Sequence, residues 1–329
     1  MAVGACAEIA SALWYCRPGE VEIRQEAMAA PGAGEVRVKT LYSAISRGTE
    51  SLVFGGRVPV GEFERMRAPF MAGDFPFPAK YGYAAVGRVE SDDYVLRGKN
   101  VFALYPHQTA FNIPVGAVLA LPEEVPPHRA VLAANMETAL NGVWDAAPGP
   151  ADRIVIIGAG VVGSLVAYLC GRIPGTDVTL IDINPTRAEL AGKLGVSFTG
   201  PGDAIGDCDL VVHASGSPDG LRTALELAGD EATVLEMSWY GDAAVTATLG
   251  GPFHSRRLRL VSSQVGQIAP SHRPRWTHGR RLAAAIALLC DPRLDALLAP
   301  AVAFHDLPQR LPGILDPGSG ILCQPIIYS

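Results

Sequence analysis

The sequence predicts an α/β protein in which a doubly wound parallel sheet follows a mostly β domain. Three observations predict it. From about residue 128 onward short apolar strands alternate with helical stretches, a glycine-rich turn joins one of those strands to one of those helices, and residues 21–122 are instead a succession of β-like runs cut by turn residues. A length of 329 residues with 49% hydrophobic side chains is enough for two cores.

In the first part, residues 36–41 and 86–90 are rich in valine and alternate in polarity, as strands do. Residues 55–77, between them, read as an insertion in which Phe63, Met66, Phe70, Met71, Phe75 and Phe77 lie among charges and prolines, suited to a lid, a substrate wall or a surface loop. Residues 128–147 carry helix formers with apolar side chains three and four apart and stop at Pro148-Gly149-Pro150, so one helix leads into the second domain. Strands are then expected at 153–157, 178–181, 210–213, 233–237 and 258–262, and helices at 161–170, 187–194 and 221–228. A helix after a strand carries the chain back across the sheet, so these strands run parallel with helices on both faces. A last helix at 280–289 precedes a proline-punctuated tail, whose Ile321-Leu322 and Ile326-Ile327 return to the first domain. The expected domains are 1–127, completed by 292–329, and 128–291.

Composition excludes several classes. No apolar run reaches the roughly 18 to 20 residues of a membrane helix. The N-terminus has no basic leader, although Ala2 to Ala12 is weakly apolar, and a cytoplasmic protein is expected. Cys6, Cys16, Cys170, Cys208, Cys290 and Cys323 form no C-x-x-C pair, which argues against a disulfide framework and a zinc knuckle. Net charge is −6, and the clusters Arg256, Arg257, Arg259 and Arg273, Arg275, Arg280, Arg281 lack interleaved aromatics, so no nucleic-acid partner is expected.

The strongest motif is residues 153–163, Arg-Ile-Val-Ile-Ile-Gly-Ala-Gly-Val-Val-Gly, where an apolar strand runs into Gly158-x-Gly160-x-x-Gly163 and a helix. Gly158 permits the tight turn, Gly160 admits a pyrophosphate to the backbone, and Gly163 lets helix and strand pack closely. Val161 and Val162 open the helix, whose free amides attract the diphosphate. Nineteen residues beyond Gly163, Asp182 ends the next strand, followed by Ile183. A carboxylate there grips the adenosine ribose and repels a 2′-phosphate, which favours NAD(H), while Arg187 nearby leaves NADP(H) as the alternative. Ser215 and Gly216, Trp239, and Val265 stand at later strand ends and complete the expected nucleotide contacts.

The order of motifs resembles the medium-chain dehydrogenase/reductase, or alcohol dehydrogenase-like, superfamily over nearly the whole chain. The likeness is carried by Ser46-Arg47-Gly48-Thr49-Glu50, then Gly82-Tyr83-Ala84-Ala85-Val86-Gly87-Arg88-Val89-Glu90, then Arg97-Gly98-Lys99-Asn100-Val101-Phe102, then the Rossmann unit. It implies a GroES-like catalytic domain closed by the C-terminal tail, and a homodimer formed through the edge strand near 258–262. In zinc-dependent members the first segment reads Cys-Gly-Thr-Asp and the second Gly-His-Glu. Arg47 and Tyr83 stand at the zinc-ligand positions here, and Glu137 alone cannot complete a site that wants three ligands, so no catalytic zinc is expected. A set of His107, Glu137 and His254 is the alternative for a metal. The zinc-less run 43–50 is similar to a branch containing bacteriochlorophyllide dehydrogenase and "zinc-binding dehydrogenase" homologues, associated with secondary alcohols or ketones in specialised biosynthesis.

The resemblance implies an NAD(H)-dependent enzyme that interconverts a secondary alcohol and a ketone on a biosynthetic intermediate. Without a Lewis acid, Tyr83 is the first choice of proton donor, its pKa lowered by Arg47 or Lys80. Thr49 matches the hydroxyl relay, Glu137 would orient Arg47 or bind a substrate hydroxyl, and His107 is the second acid/base. Two other readings stay open: a zinc-free reductase of conjugated C=C bonds, and a silent NAD(H)-binding sensor or scaffold.

Overall fold

A computed structural model describes residues 8–91 and 95–328, so Cys6 lies outside the described residues. The chain divides into two compact units. One runs to Ala134 and is completed from Leu298 onward; the other is Asn135–Leu297.

The first unit opens with β1 (Glu8–Arg17) and β2 (Glu20–Met28), an antiparallel pair. The strand β3 (Glu35–Ile45) precedes α1 (Arg47–Phe54). Short strands β4 (Ala72–Gly73) and β5 (Ala79–Lys80) join β1 and β2 in one sheet. Next come β6 (Ala85–Val89), β7 (Asn100–Ala103), β8 (Ala110–Pro114) and β9 (Val118–Ala120). These pack with β3 because alternate residues face one core: Val36 and Val38 meet Val89, Val101, Phe111 and Ile113, all buried, while Lys39 and Arg88 face out. Within residues 55–77, Phe75 is buried against Phe63 and Tyr81, and Phe70 stacks on Tyr105, so the segment is packed onto its own unit.

The single helix expected over 128–147 is two. α2 (Pro127–Ala130) closes when the Leu132 amide reaches back three residues to the Arg129 carbonyl, and α3 (Ala133–Ala146) then begins afresh.

In the second unit β10 (Arg153–Ile157), α4 (Val161–Cys170), β11 (Asp177–Ile181), α5 (Arg187–Leu194), β12 (Ser197–Thr199), β13 (Cys208–His213), α6 (Pro218–Leu227), β14 (Ala228–Glu236), β15 (Arg259–Ser262) and α7 (His278–Ala287) follow. All six strands are parallel in the order β12-β11-β10-β13-β14-β15. The order reverses direction between β10 and β13, the switch point outside whose carboxyl edge ligands of such sheets bind. The chain then returns to the first unit as β16 (Val302–Ala303), α8 (Leu307–Leu315) and β17 (Gln324–Ile327), with β17 pairing antiparallel to β3. Among the described residues no helix is long and apolar enough to cross a membrane.

Candidate functional site

The carboxyl end of β10 runs into the glycine turn, where each glycine answers a different demand. Gly158 has φ +104°, and a Cβ there would stand 2.6 Å from the Ser215 Cα. A Cβ on Gly163 would stand 2.0 Å from the Gly158 carbonyl oxygen, so only glycine lets α4 sit on its own turn. Gly160 has nothing within 4 Å of its would-be Cβ. Protein packing therefore does not require glycine at 160, and the open space is what a diphosphate approaching the backbone would fill. Gly160 also caps α4 without a side-chain acceptor, so no side-chain cap covers the helix start at Val161 and Val162.

Asp182 follows β11 and is half-exposed, with Ile183 beside it 88% exposed. Its Oδ2 accepts the Ala159 amide at 2.7 Å and its Oδ1 accepts the Asn184 amide at 2.8 Å. The carboxylate thus ties the glycine turn to the end of β11. Each oxygen keeps a lone pair for a ribose hydroxyl.

Ser215 and Gly216 lie after β13, beside Gly158. The Gly216 amide donates to Ser238 Oγ at 3.1 Å, which ties the segments after β13 and β14 together, and Trp239 next to Ser238 is half-buried. Val265 is held through its carbonyl by the Arg281 guanidinium. The sequence placed His213 only as the first residue of the strand-end run 213–217 expected to line the nucleotide, and gave no role to Glu236, which stands opposite it. A histidine and an acid directly after the apolar runs 210–212 and 234–235 were the available signal.

The residues assigned to catalysis are placed less uniformly. In the first unit Tyr83 hydrogen-bonds the side chains of Ser46 and Thr49 at the start of α1. Burial and the Glu50 charge push its pKa up to about 12, against partial relief from those two bonds. This corrects the expected lowering by a cation. Arg47 instead donates to the backbone carbonyls of Ile321 and Asp316, and Lys80 to Glu26 and Gln108 at 2.7 and 2.9 Å. His107 is fully buried, with Nδ1 2.8 Å from Ser43 Oγ and Nε2 3.0 Å from Glu50 Oε2. The network continues from Ser43 to the Tyr328 hydroxyl at 2.8 Å and from Glu50 to the Tyr15 hydroxyl at 2.6 Å. Glu50 Oε1 accepts the Ser46 amide at 2.7 Å, fixing the turn that presents Ser46 and Thr49 to Tyr83.

In the second unit Glu137 is not a partner of Arg47: its Oε1 accepts from Arg281 Nε at 3.0 Å. Burial raises its pKa while Arg281 opposes the rise. The exposed His254 follows a distorted helical turn in the same unit.

The donor set does not suit a catalytic zinc with three protein ligands. Arg47 and Tyr83 are engaged as above, both His107 nitrogens are committed, and burial with the Glu50 charge pushes the Cys323 thiol up to about 12. Among the described residues no three His, Cys, Asp or Glu side chains form a group able to hold a metal ion.

No family model matches the chain. It is 24% identical over 316 residues to D-guloside 3-dehydrogenase of Escherichia coli, covering 86% of this chain and 90% of that protein. Its fold matches a short chain alcohol dehydrogenase of E. coli solved with NADH, at TM-score 0.76 and 16% identity, over 97% of this chain and 99% of that one. It also matches a structure from Sinorhizobium meliloti described as a zinc-binding dehydrogenase bound to NADP, at TM-score 0.77 and 17% identity, over 97% and 99%. The chain therefore shares the fold of these solved dehydrogenases: a six-stranded parallel sheet with helices, and a second, mostly β unit.

Proposed function

We propose that the chain is an NAD(H)-dependent dehydrogenase that interconverts a secondary alcohol and a ketone without catalytic zinc. Its substrate is a polyhydroxylated compound of the sugar kind, handled as a biosynthetic intermediate. The observation that carries the reading is the unfilled space over Gly160 at the uncapped start of α4, with the Asp182 carboxylate at the end of the adjoining strand. The D-guloside dehydrogenase relationship supports a sugar hydroxyl as the reacting group.

Gly158, Gly160 and the α4 amides would hold the diphosphate, and Asp182 the adenosine ribose. The nicotinamide, when bound, supplies or accepts the hydride. Tyr83, with a pKa near 12, keeps its proton at neutral pH and serves as a hydrogen-bond donor to the substrate oxygen. Ser46 and Thr49 orient that phenol, and Glu50 with His107 anchors the turn that carries them.

Asp182 supports NAD(H) over NADP(H), and with it an alcohol dehydrogenase over a conjugated C=C reductase. The edge position of β15, with Leu260 40% exposed, supports a homodimer paired through that strand. Calorimetry with NAD⁺ and NADH, followed by oxidation assays on methyl glycosides and polyols, tests the reading. Turnover supports it; tight binding with no turnover of any hydroxyl or carbonyl probe supports the silent sensor.

A further inference from the structure

The helix α3 carries a polar stripe along its length. Glu137, Asn141 and Asp145 recur every four residues, so they share one face of the helix. Each of them engages the chain that follows β15. Asp145 Oδ2 accepts the Ser263 hydroxyl at 2.6 Å, Asn141 Oδ1 accepts the Ala269 amide at 3.2 Å, and Glu137 Oε1 accepts Arg281 Nε of α7 at 3.0 Å. Every one of these residues belongs to the second unit.

Arg281 completes the hold. Its side chain is fully buried, its Nη1 donates to Asn141 Oδ1 and to the Gln267 carbonyl, and its Nη2 donates to the Val265 carbonyl. Residues 263–269 form neither helix nor strand, yet Ser263, Val265, Gln267 and Ala269 are all gripped from α3 and α7. Loop carbonyls ordinarily face water, whereas two of these are served by a buried guanidinium, a group that is costly to desolvate. The grip leaves one donor open. Among the described residues the half-buried Val265 amide has no acceptor, and its carbonyl is already committed, so a hydrogen-bond donor is what residue 265 offers a ligand.

The segment stands along the line of the nucleotide. With Asp182 closing β11 and the glycine turn closing β10, adenosine and diphosphate follow the carboxyl edge of the sheet from β11 to β10. The same edge continues past β13 and β14 to β15. The ends of these strands are tied in turn, Gly216 amide to Ser238 Oγ at 3.1 Å and Ser263 amide to the Glu236 carbonyl at 3.0 Å. Neighbouring strands lie about 4.8 Å apart, so β14 and β15 stand roughly 10 and 14 Å beyond β10, on the side left for the nicotinamide half.

We infer that Arg281 is a positioning residue for the nicotinamide end of the nucleotide. Anchored by Glu137 and Asn141, it fixes the backbone at 265–267 and keeps the Val265 amide free to meet the nicotinamide. Glu137 acts at one remove, through the guanidinium. Arg281 itself touches no reacting atom, and its role requires neither the first unit nor a placed substrate. This rests on the nucleotide reading above.

The test compares NADH with ADP-ribose, which has the same adenosine and diphosphate but no nicotinamide, by calorimetry on wild type, Arg281→Lys and Ser263→Ala. Lysine keeps the charge beside Glu137 but lacks the planar fork that reaches Glu137, Asn141 and Val265 together. Ser263→Ala, at a half-buried position, loosens the same segment and serves if the first variant does not fold. NADH affinity falls about fivefold or more in the variants, while ADP-ribose affinity stays within about twofold of wild type. A parallel fall for both ligands, or no change in either, assigns Arg281 to the fold alone and overturns the proposal. Wild type that binds ADP-ribose as tightly as NADH also overturns it, and leaves the nucleotide reading standing. No heat from wild type with either ligand removes that reading, and the positioning role with it.

Discussion

Arg281 donates from Nε to Glu137 Oε1 at 3.0 Å, and the two side chains are only 2% and 6% exposed. The same guanidinium reaches Asn141 and the carbonyls of Val265 and Gln267, so one arginine binds α7 to α3 and to the segment that follows β15. A buried charge that loses its partner is far costlier than the pair is favourable.

Arg281→Met should therefore lower the stability of the second unit by about 3–5 kcal/mol, because Glu137 is left buried and unpaired. Denaturant unfolding followed by tryptophan fluorescence measures this. A loss under about 1 kcal/mol would show that Glu137 finds water or another donor.

Gly163 tests the fold of the turn rather than its proposed function. Gly163→Ala places a methyl against the Gly158 carbonyl and is expected to cost about 1–3 kcal/mol from overpacking. Thermal unfolding of that variant against wild type reads it out, and an unchanged Tm would mean the turn relaxes freely.

Asp182→Ala should weaken NADH binding by about tenfold or more and narrow the preference over NADPH, since a charge-assisted hydrogen bond is worth about 1.5–3 kcal/mol. It should also loosen the turn, because the Ala159 amide loses its acceptor. Equal affinity for NADH in variant and wild type would take the carboxylate out of the site.

Tyr83→Phe should lower turnover by about a hundredfold, the scale for losing one donor to a developing oxyanion, with little change in NADH affinity. The raised pKa carries a sign of its own. The folded phenol holds its proton above the ordinary value of 10.0, so stability is full below pH 10 and declines as pH rises toward about 12. Alkaline unfolding monitored by circular dichroism should start at higher pH in the phenylalanine variant than in wild type.

Protein purified from zinc-replete medium should carry far less than one zinc per chain, and chelation should leave nucleotide binding unchanged. One tightly held zinc per chain by elemental analysis would contradict the zinc-free account.

The Rossmann half was readable because its signals are local. The strand Arg153–Ile157 and the helices Val161–Cys170 and Arg187–Leu194 have the expected bounds, each set by a glycine turn or a clear helical period. The three-residue β12 was not seen, being too short to show a period. Strand β1 was missed because its first residues read only as weakly apolar, and its pairing with β2 and β5 is what makes it a strand. Side-chain partners were the least readable feature. Glu50 meets His107 57 positions along the chain and Glu137 meets Arg281 at 144, pairings that only tertiary packing selects. That is why Arg47 and Lys80 were expected near Tyr83 and turned out to serve a backbone and another acid.

The most direct measurement is NADH calorimetry on wild type and Gly160→Val, since a Cβ at 160 has no protein atom within 4 Å and the valine side chain would enter the space proposed for the diphosphate. Wild type should bind, and the variant should keep its Tm within a few degrees while losing about tenfold or more in affinity. Equal binding by both proteins, or no heat from wild type, would contradict it.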